Sequence, residues 1–154
     1  MNLSGSRVIT NKPYDEDIEF ETKFTISEKI KNVGSLKIVD IPFLDKVYTR
    51  EIIEREVRNY DIDYASYENN LDYETEVYLN IPATNKFTEL PENKAFTYKN
   101  HSYTISFELV KPNSLKVTRK VHTPWDDITV KDYLEYKKYV EEVMTSEEQV
   151  IGYK

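Results

Sequence analysis

Residues 94–109 read KAFTYKNHSYTISFEL. Phe96 and Tyr98 alternate with polar residues in one arm. Tyr103, Ile105, Phe107 and Leu109 alternate in the other. A period of two is that of a strand, whose successive side chains point to opposite faces. Two such runs around Lys99-Asn100 read as a hairpin, with Asn100 the turn residue best suited to a left-handed backbone. This hairpin makes the chain a β-protein, and its neighbours on both sides extend the pattern.

On the C-terminal side, KPNS (111–114) is a turn, because Pro112 presets φ and Asn113 tolerates the next position. It leads into LKVTRKV (115–121), a further strand. On the N-terminal side, YETEVYLNIP (73–82) puts Thr75, Val77, Leu79 and Ile81 on one face. GSLKIVDIPFL (34–44) is a strand ending where Pro42 removes a ladder donor. DIEFETKFTIS (17–27) alternates most cleanly, with Ile18, Phe20, Thr22, Phe24 and Ile26 on a face expected to be half-buried. Residues 1–16 are polar and are expected to form an irregular leader or linker. TREIIEREVRNY (49–60) has the composition of a helix and the alternation of a strand. Residues 51–60 are expected to be strand, since the flanking elements pair naturally as antiparallel neighbours.

One segment is helical. In DDITVKDYLEYKKYVEEVM (126–144), Tyr133, Tyr136, Val140 and Val143 recur at helical spacing, and Met144 widens the stripe. Thr129 is the expected N-cap, with Asp132 three residues on. Trp125 is expected to pack beneath the first turn as a staple. Because QVIGY (149–153) then reads as a short strand, the helix near 130–144 is expected to strap the sheet rather than stand free. The expected architecture is one all-β domain over 17–154. It is an antiparallel β-sandwich of about seven to nine strands with the C-terminal helix packed on it.

Composition removes several function classes. The 154 residues are enough for one core. No run approaches the roughly 18 apolar residues of a membrane span, and MNLSGSRVIT carries no signal-peptide h-region. A net charge of −7 argues against nucleic acid. The most basic strip, Lys111, Lys116, Arg119 and Lys120, reads as the solvated face of a strand. There is no cysteine, which excludes disulfides, thiolate metal sites and thiol nucleophiles together.

Little chemistry remains. His101 and His122 read as ordinary surface or edge histidines, because no four-ligand cluster accompanies them. Carboxylate pairs such as Asp126-Asp127 arise by chance among 28 acidic residues. No G-x-S-x-G setting or glycine-rich phosphate loop is present. A stand-alone enzyme is therefore disfavoured, and no catalytic, cofactor-binding or metal residue is assigned. The one suggestive cluster is NYDIDYASYENNLDY (59–73), where Tyr60, Tyr64 and Tyr67 interleave with Asp61, Asp63 and Asp72. Aromatic faces beside acids suit a glycan, and the oxygens suit Ca²⁺, though the spacing is not that of an EF-hand. An acidic turn whose tyrosines cover apolar surface is the plainer reading.

The ordered set VYLNIPATNKFTELPENKAFTYKNHSYTISFEL (77–109), LKVTRKV (115–121), DYLEYKKYVEEV (132–143) and QVIGYK (149–154) resembles a known family. This is the C-terminal β-domain of unknown function that follows the transglutaminase-like domain in multidomain Bacteroidetes-type proteins. IPFLDKVYTREIIERE (41–56) fits the family's entry into the region. Relatives tend to carry Gly after the Ile-Pro and in the hairpin, where this chain has Ala83-Thr84-Asn85 and Lys99-Asn100. The resemblance implies a non-catalytic accessory domain. Its partner would be the upstream transglutaminase-like domain or another envelope protein, with a periplasmic or cell-surface location. The alternative function is a carbohydrate-binding module using the Tyr/Asp cluster.

Overall fold

The computed structural model describes residues 2–10, 18–26, 30–63, 71–124 and 126–154. The alternating stretches named above become strands wherever a partner completes their ladder. In chain order these are β1 (Asn2–Thr10), β2 (Glu19–Thr25), β3 (Lys31–Val33), β4 (Leu36–Asp40) and β5 (Leu71–Asn80). Then come β6 (Phe87–Glu89), β7 (Lys94–Tyr98), β8 (His101–Lys111) and β9 (Ser114–Thr123). Helix α1 (Tyr133–Glu147) and β10 (Val150–Tyr153) end the chain. The fold is mostly β, its sheets are antiparallel, and the C-terminal helix packs on them.

Two four-stranded sheets make the body, in the orders β3-β4-β10-β6 and β5-β9-β8-β7. Register carries the binary pattern across the second sheet. Tyr73, Val121, Tyr103 and Phe96 form one row, while Val77, Val117 and Phe107 form another. Leu115, Val117, Ile105 and Tyr103 from this sheet bury against Val39, Phe87, Ile151 and Tyr153 from the other. Gly152 sits where β10 passes closest to its neighbours. A Cβ there would stand 2.7 Å from the Cβ of Glu89, so the three strands can approach only because that atom is missing.

The helix is a strap. Tyr133, Tyr136, Tyr139, Val140 and Val143 are buried, and the aromatic rings of Tyr48, Tyr98, Tyr136 and Tyr139 meet at 5.3–6.4 Å. The first helical residue is Tyr133, three later than a Thr129 cap would give. Residues 130–132 instead make a tight turn in which Thr129 Oγ1 accepts from the Asp132 amide at 3.3 Å. Asp61 accepts from the Val130 amide at 2.6 Å and holds that turn. Trp125 lies outside the described residues.

Four expectations give way. Residues 2–10, read as an irregular leader, form β1 and pair with β2 from Asn2↔Thr25 to Thr10↔Glu19. Sparse apolar residues hid this strand, because the ladder hydrogen bonds that hold it need no side-chain pattern. The face of β2 is half-buried only at Thr22, Phe24 and Ile26, while Ile18 and Phe20 are exposed. Residues 51–60 are neither strand nor α-helix. A 3-10 turn at Arg50–Ile53 sends the adjacent Ile52 and Ile53 both inward, which a strand cannot do for neighbours on one buried face. Finally, the positive φ of the β7–β8 turn falls on Lys99 (48°) rather than Asn100. Lys99 Nζ reaches Asp132 Oδ2 at 2.7 Å, and Asn100 donates to Asp126 at 3.0 Å, so contacts to the helix entry dictate the turn.

Val140 is fully buried and Leu134 is 63% exposed on the same helix. Val140→Asp would put an unpaired carboxylate in the core. It is expected to abolish the cooperative thermal transition followed by near-UV circular dichroism. Leu134→Asp is expected to retain that transition.

Candidate functional site: a buried arginine and an open groove

Arg119 follows the alternation of β9, with Leu115, Val117 and Val121 on the same face, and so points into the core. Its side chain has no exposed surface. The reading of Arg119 as part of a solvated strip is therefore overturned, whereas Lys116 and Lys120, three residues before it and one after, occupy the outer face as expected. Alternation in LKVTRKV was the signal that could have found it.

Partners converge on Arg119 from three parts of the chain. Nη1 donates to Glu147 Oε1 at 2.7 Å and to the Asp45 carbonyl at 3.2 Å. Nη2 donates to Asp45 Oδ1 at 2.8 Å and to Thr75 Oγ1 at 3.3 Å. The guanidinium lies 4.1 Å from the Phe43 ring centroid and 5.3 Å from that of Tyr73. Burial works against its charge, but the hydrogen bond to Glu147 and the neighbouring acids outweigh it and raise the Arg119 pKa. Burial likewise pushes the Glu147 carboxyl up, against the pull of Arg119. Burial also raises the Tyr73 phenol, which donates to Asp45 Oδ2 at 3.1 Å. A neighbouring cavity of about 70 Å³, lined by Phe43, Asp45 and Glu147 among others, is well below the size of ligand pockets. The arrangement ties elements together.

The larger opening lies elsewhere. A groove of about 2170 Å³ runs between β2 and β5, with Val39, Phe87 and Tyr153 of the first sheet in its wall. The β1–β2 hairpin forms its own two-stranded sheet, and among the described residues β5 is an edge strand. The hairpin exposes Leu3 (65%), Val8 (61%), Ile18 (69%) and Phe20 (68%). Val8 and Phe20 are cross-strand partners, so their apolar surfaces are contiguous.

The Tyr/Asp cluster is not brought together as one site. Tyr60 is 83% exposed. Asp61 is engaged with the Val130 amide, and Asp63 is exposed beside Ile62, whose backbone exchanges two hydrogen bonds with Ile128. Asp72 belongs to the outer face of β5, 3.6 Å from His122 Nδ1. Tyr64 and Tyr67 lie outside the described residues. Among the described residues, no group of three or more His, Asp or Glu side chains could hold a metal ion, and no helix is long and apolar enough to cross a membrane.

His101 also departs from expectation. It is 1% exposed, packed against the rings of Tyr98, Tyr136 and Tyr139, because the first residue of β8 faces inward beneath the helix. Burial lowers its pKa to about 4, partly opposed by Asp126. No family model, no curated protein and no solved structure matches the chain.

Arg119→Ala leaves Glu147 buried without its counter-charge and is expected to cost about 3–5 kcal/mol in urea unfolding. Adding Glu147→Leu should recover part of that loss, since the stranded carboxylate is then gone. His101 gives a pH signature. Its folded pKa lies below the ordinary 6.5, so the unfolded chain binds the proton first and stability falls as pH drops from about 6.5 to about 4. The stability difference between pH 7 and pH 4.5 is expected to be roughly 2–3 kcal/mol larger in the wild type than in His101→Phe.

Proposed function

We propose that this chain is a non-catalytic interaction domain, a rigid sandwich that offers the groove between β2 and β5 to another polypeptide. The observation that carries the reading is the pairing of that groove with the apolar hairpin beside it. Two-stranded hairpins are marginal by themselves, and contiguous exposed apolar residues mark binding surfaces. The groove is also two or more times the volume of ordinary small-molecule pockets, which suits a chain segment better than a metabolite. The resemblance described above names the first partner to try, a transglutaminase-like domain, and with it an extracytoplasmic setting. In this reading the domain positions or shields such a neighbour, and any catalysis belongs to that neighbour.

Carbohydrate binding is the second reading. It rests on the Tyr60 ring, which is free to stack on a sugar. Against it, Asp61 is already committed to the helix entry and Asp72 to another face.

Selection from a random peptide library displayed on phage separates the two. Folded wild-type protein is expected to enrich peptides that no longer bind Val8→Ser/Phe20→Ser. Equal enrichment on both proteins, or none, overturns the groove. Retention on a glycan array that disappears in Tyr60→Ala establishes the carbohydrate reading instead.

A further inference from the structure

We infer that the occupant of the groove is an extended strand of alternating apolar and basic residues that adds to the free edge of β5. This inference rests on the reading of the chain as an interaction domain and specifies its partner.

The backbone provides the first argument. Over all ten residues β5 pairs with β9 in continuous register, from Leu71↔Thr123 to Asn80↔Ser114, and among the described residues no strand lies on its other side. Edge strands are commonly blunted by a proline, a bulge or extreme shortness. β5 has no proline, no register shift and full length, with Pro82 only beyond its end. Among the described residues its outer edge is a row of amides and carbonyls without a ladder partner, bordering a volume large enough for a chain. Strand addition uses such an edge, with main-chain bonds supplying affinity and alternate side chains supplying selectivity.

Side chains specify the pattern. On the inner face of β5 an incoming strand would run beside Tyr73, Thr75, Val77 and Leu79, which are only half-buried and so call for apolar neighbours. On the outer face it would meet Asp72, Glu74 and Glu76. Acids dominate the groove, with Glu19, Glu21 and Asp45 joining those three. The lysines that line it are Lys23, Lys37 and Lys120. The existing neighbour of β5 shows the required chemistry. β9 alternates Leu115 and Val117 inward with Lys116 and Lys120 outward, and these lysines pair with Glu76 and, at 3.0 Å, with Glu74. A second strand of that pattern would repeat on the open side what β9 does on the closed one.

The test uses a synthetic ten-residue peptide alternating Val and Lys. Two controls accompany it: Val alternating with Glu, and the Val/Lys peptide methylated at every backbone nitrogen. Hydrogen exchange of the β5 amides and a fluorescence titration are the readouts. The Val/Lys peptide is expected to slow exchange along β5. Its binding should weaken about three- to tenfold in Glu74→Gln/Glu76→Gln and disappear on methylation, which removes ladder donors and leaves the side chains. Comparable binding by either control, or binding without protection of β5, overturns strand addition while the groove reading stands. If no peptide binds and library selection also yields nothing, both fall. A dimer in sedimentation with β5 amides already protected overturns the inference in favour of a second copy as occupant.

Discussion

The charge buried at Arg119 constrains more of this molecule than any other feature. A guanidinium with no exposed surface must be matched by fixed acceptors, since a charge left unpaired in a core costs several kcal/mol. Its acceptors come from the end of α1 through Glu147, from the segment after β4 through Asp45, and from β5 through Thr75. Those elements cannot shift independently without stranding a donor or an acid. The phenyl ring of Phe43 and the phenol of Tyr73 enclose the remaining faces of the group. A buried ionic cluster of this kind contributes orientation more than net stability, because desolvation offsets much of its attraction.

That fixed arrangement divides the molecule into a closed side and an open one. On the closed side, tyrosines of α1 interlock with Tyr48, Tyr98 and His101 at edge-to-face angles, and β10 returns to join β4 and β6. On the open side, β5 has a strand partner along one edge only among the described residues, and the β1–β2 hairpin stands beside it with large apolar side chains exposed. The rigid half holds the geometry of the open half, so a segment laid along β5 would not have to order the rest of the sheet. Low cost of ordering is what separates a productive contact surface from a merely sticky one.

Much of the second sheet was legible in the amino-acid sequence. Alternation in 73–82, 94–109 and 115–121 depends only on the two-residue period of a strand, and the stripe through Tyr136, Val140 and Val143 only on the helical period. Both are local properties, so tertiary context confirmed the strands and the strap. Less was legible of the site. The Tyr/Asp cluster drew notice by composition, yet Asp61 serves the helix entry and Asp72 lies on a different face. The groove left no motif, because it is a space between two edges whose residues are polar and apolar in ordinary proportion.

What the sequence by itself determined was the class of the protein: periodicity set the strands and the helix stripe, and the lack of cysteine excluded thiol chemistry within these residues, since each follows from residue type and spacing alone. Only the tertiary structure decided which strands were left without partners, and that residues 2–10 pair at all. It also decided that Arg119 and His101 lie inside. Pairing and burial depend on contacts between residues far apart in the chain, such as Arg119 with Asp45 and Glu147, whose energies appear only when the chain has folded and excluded water.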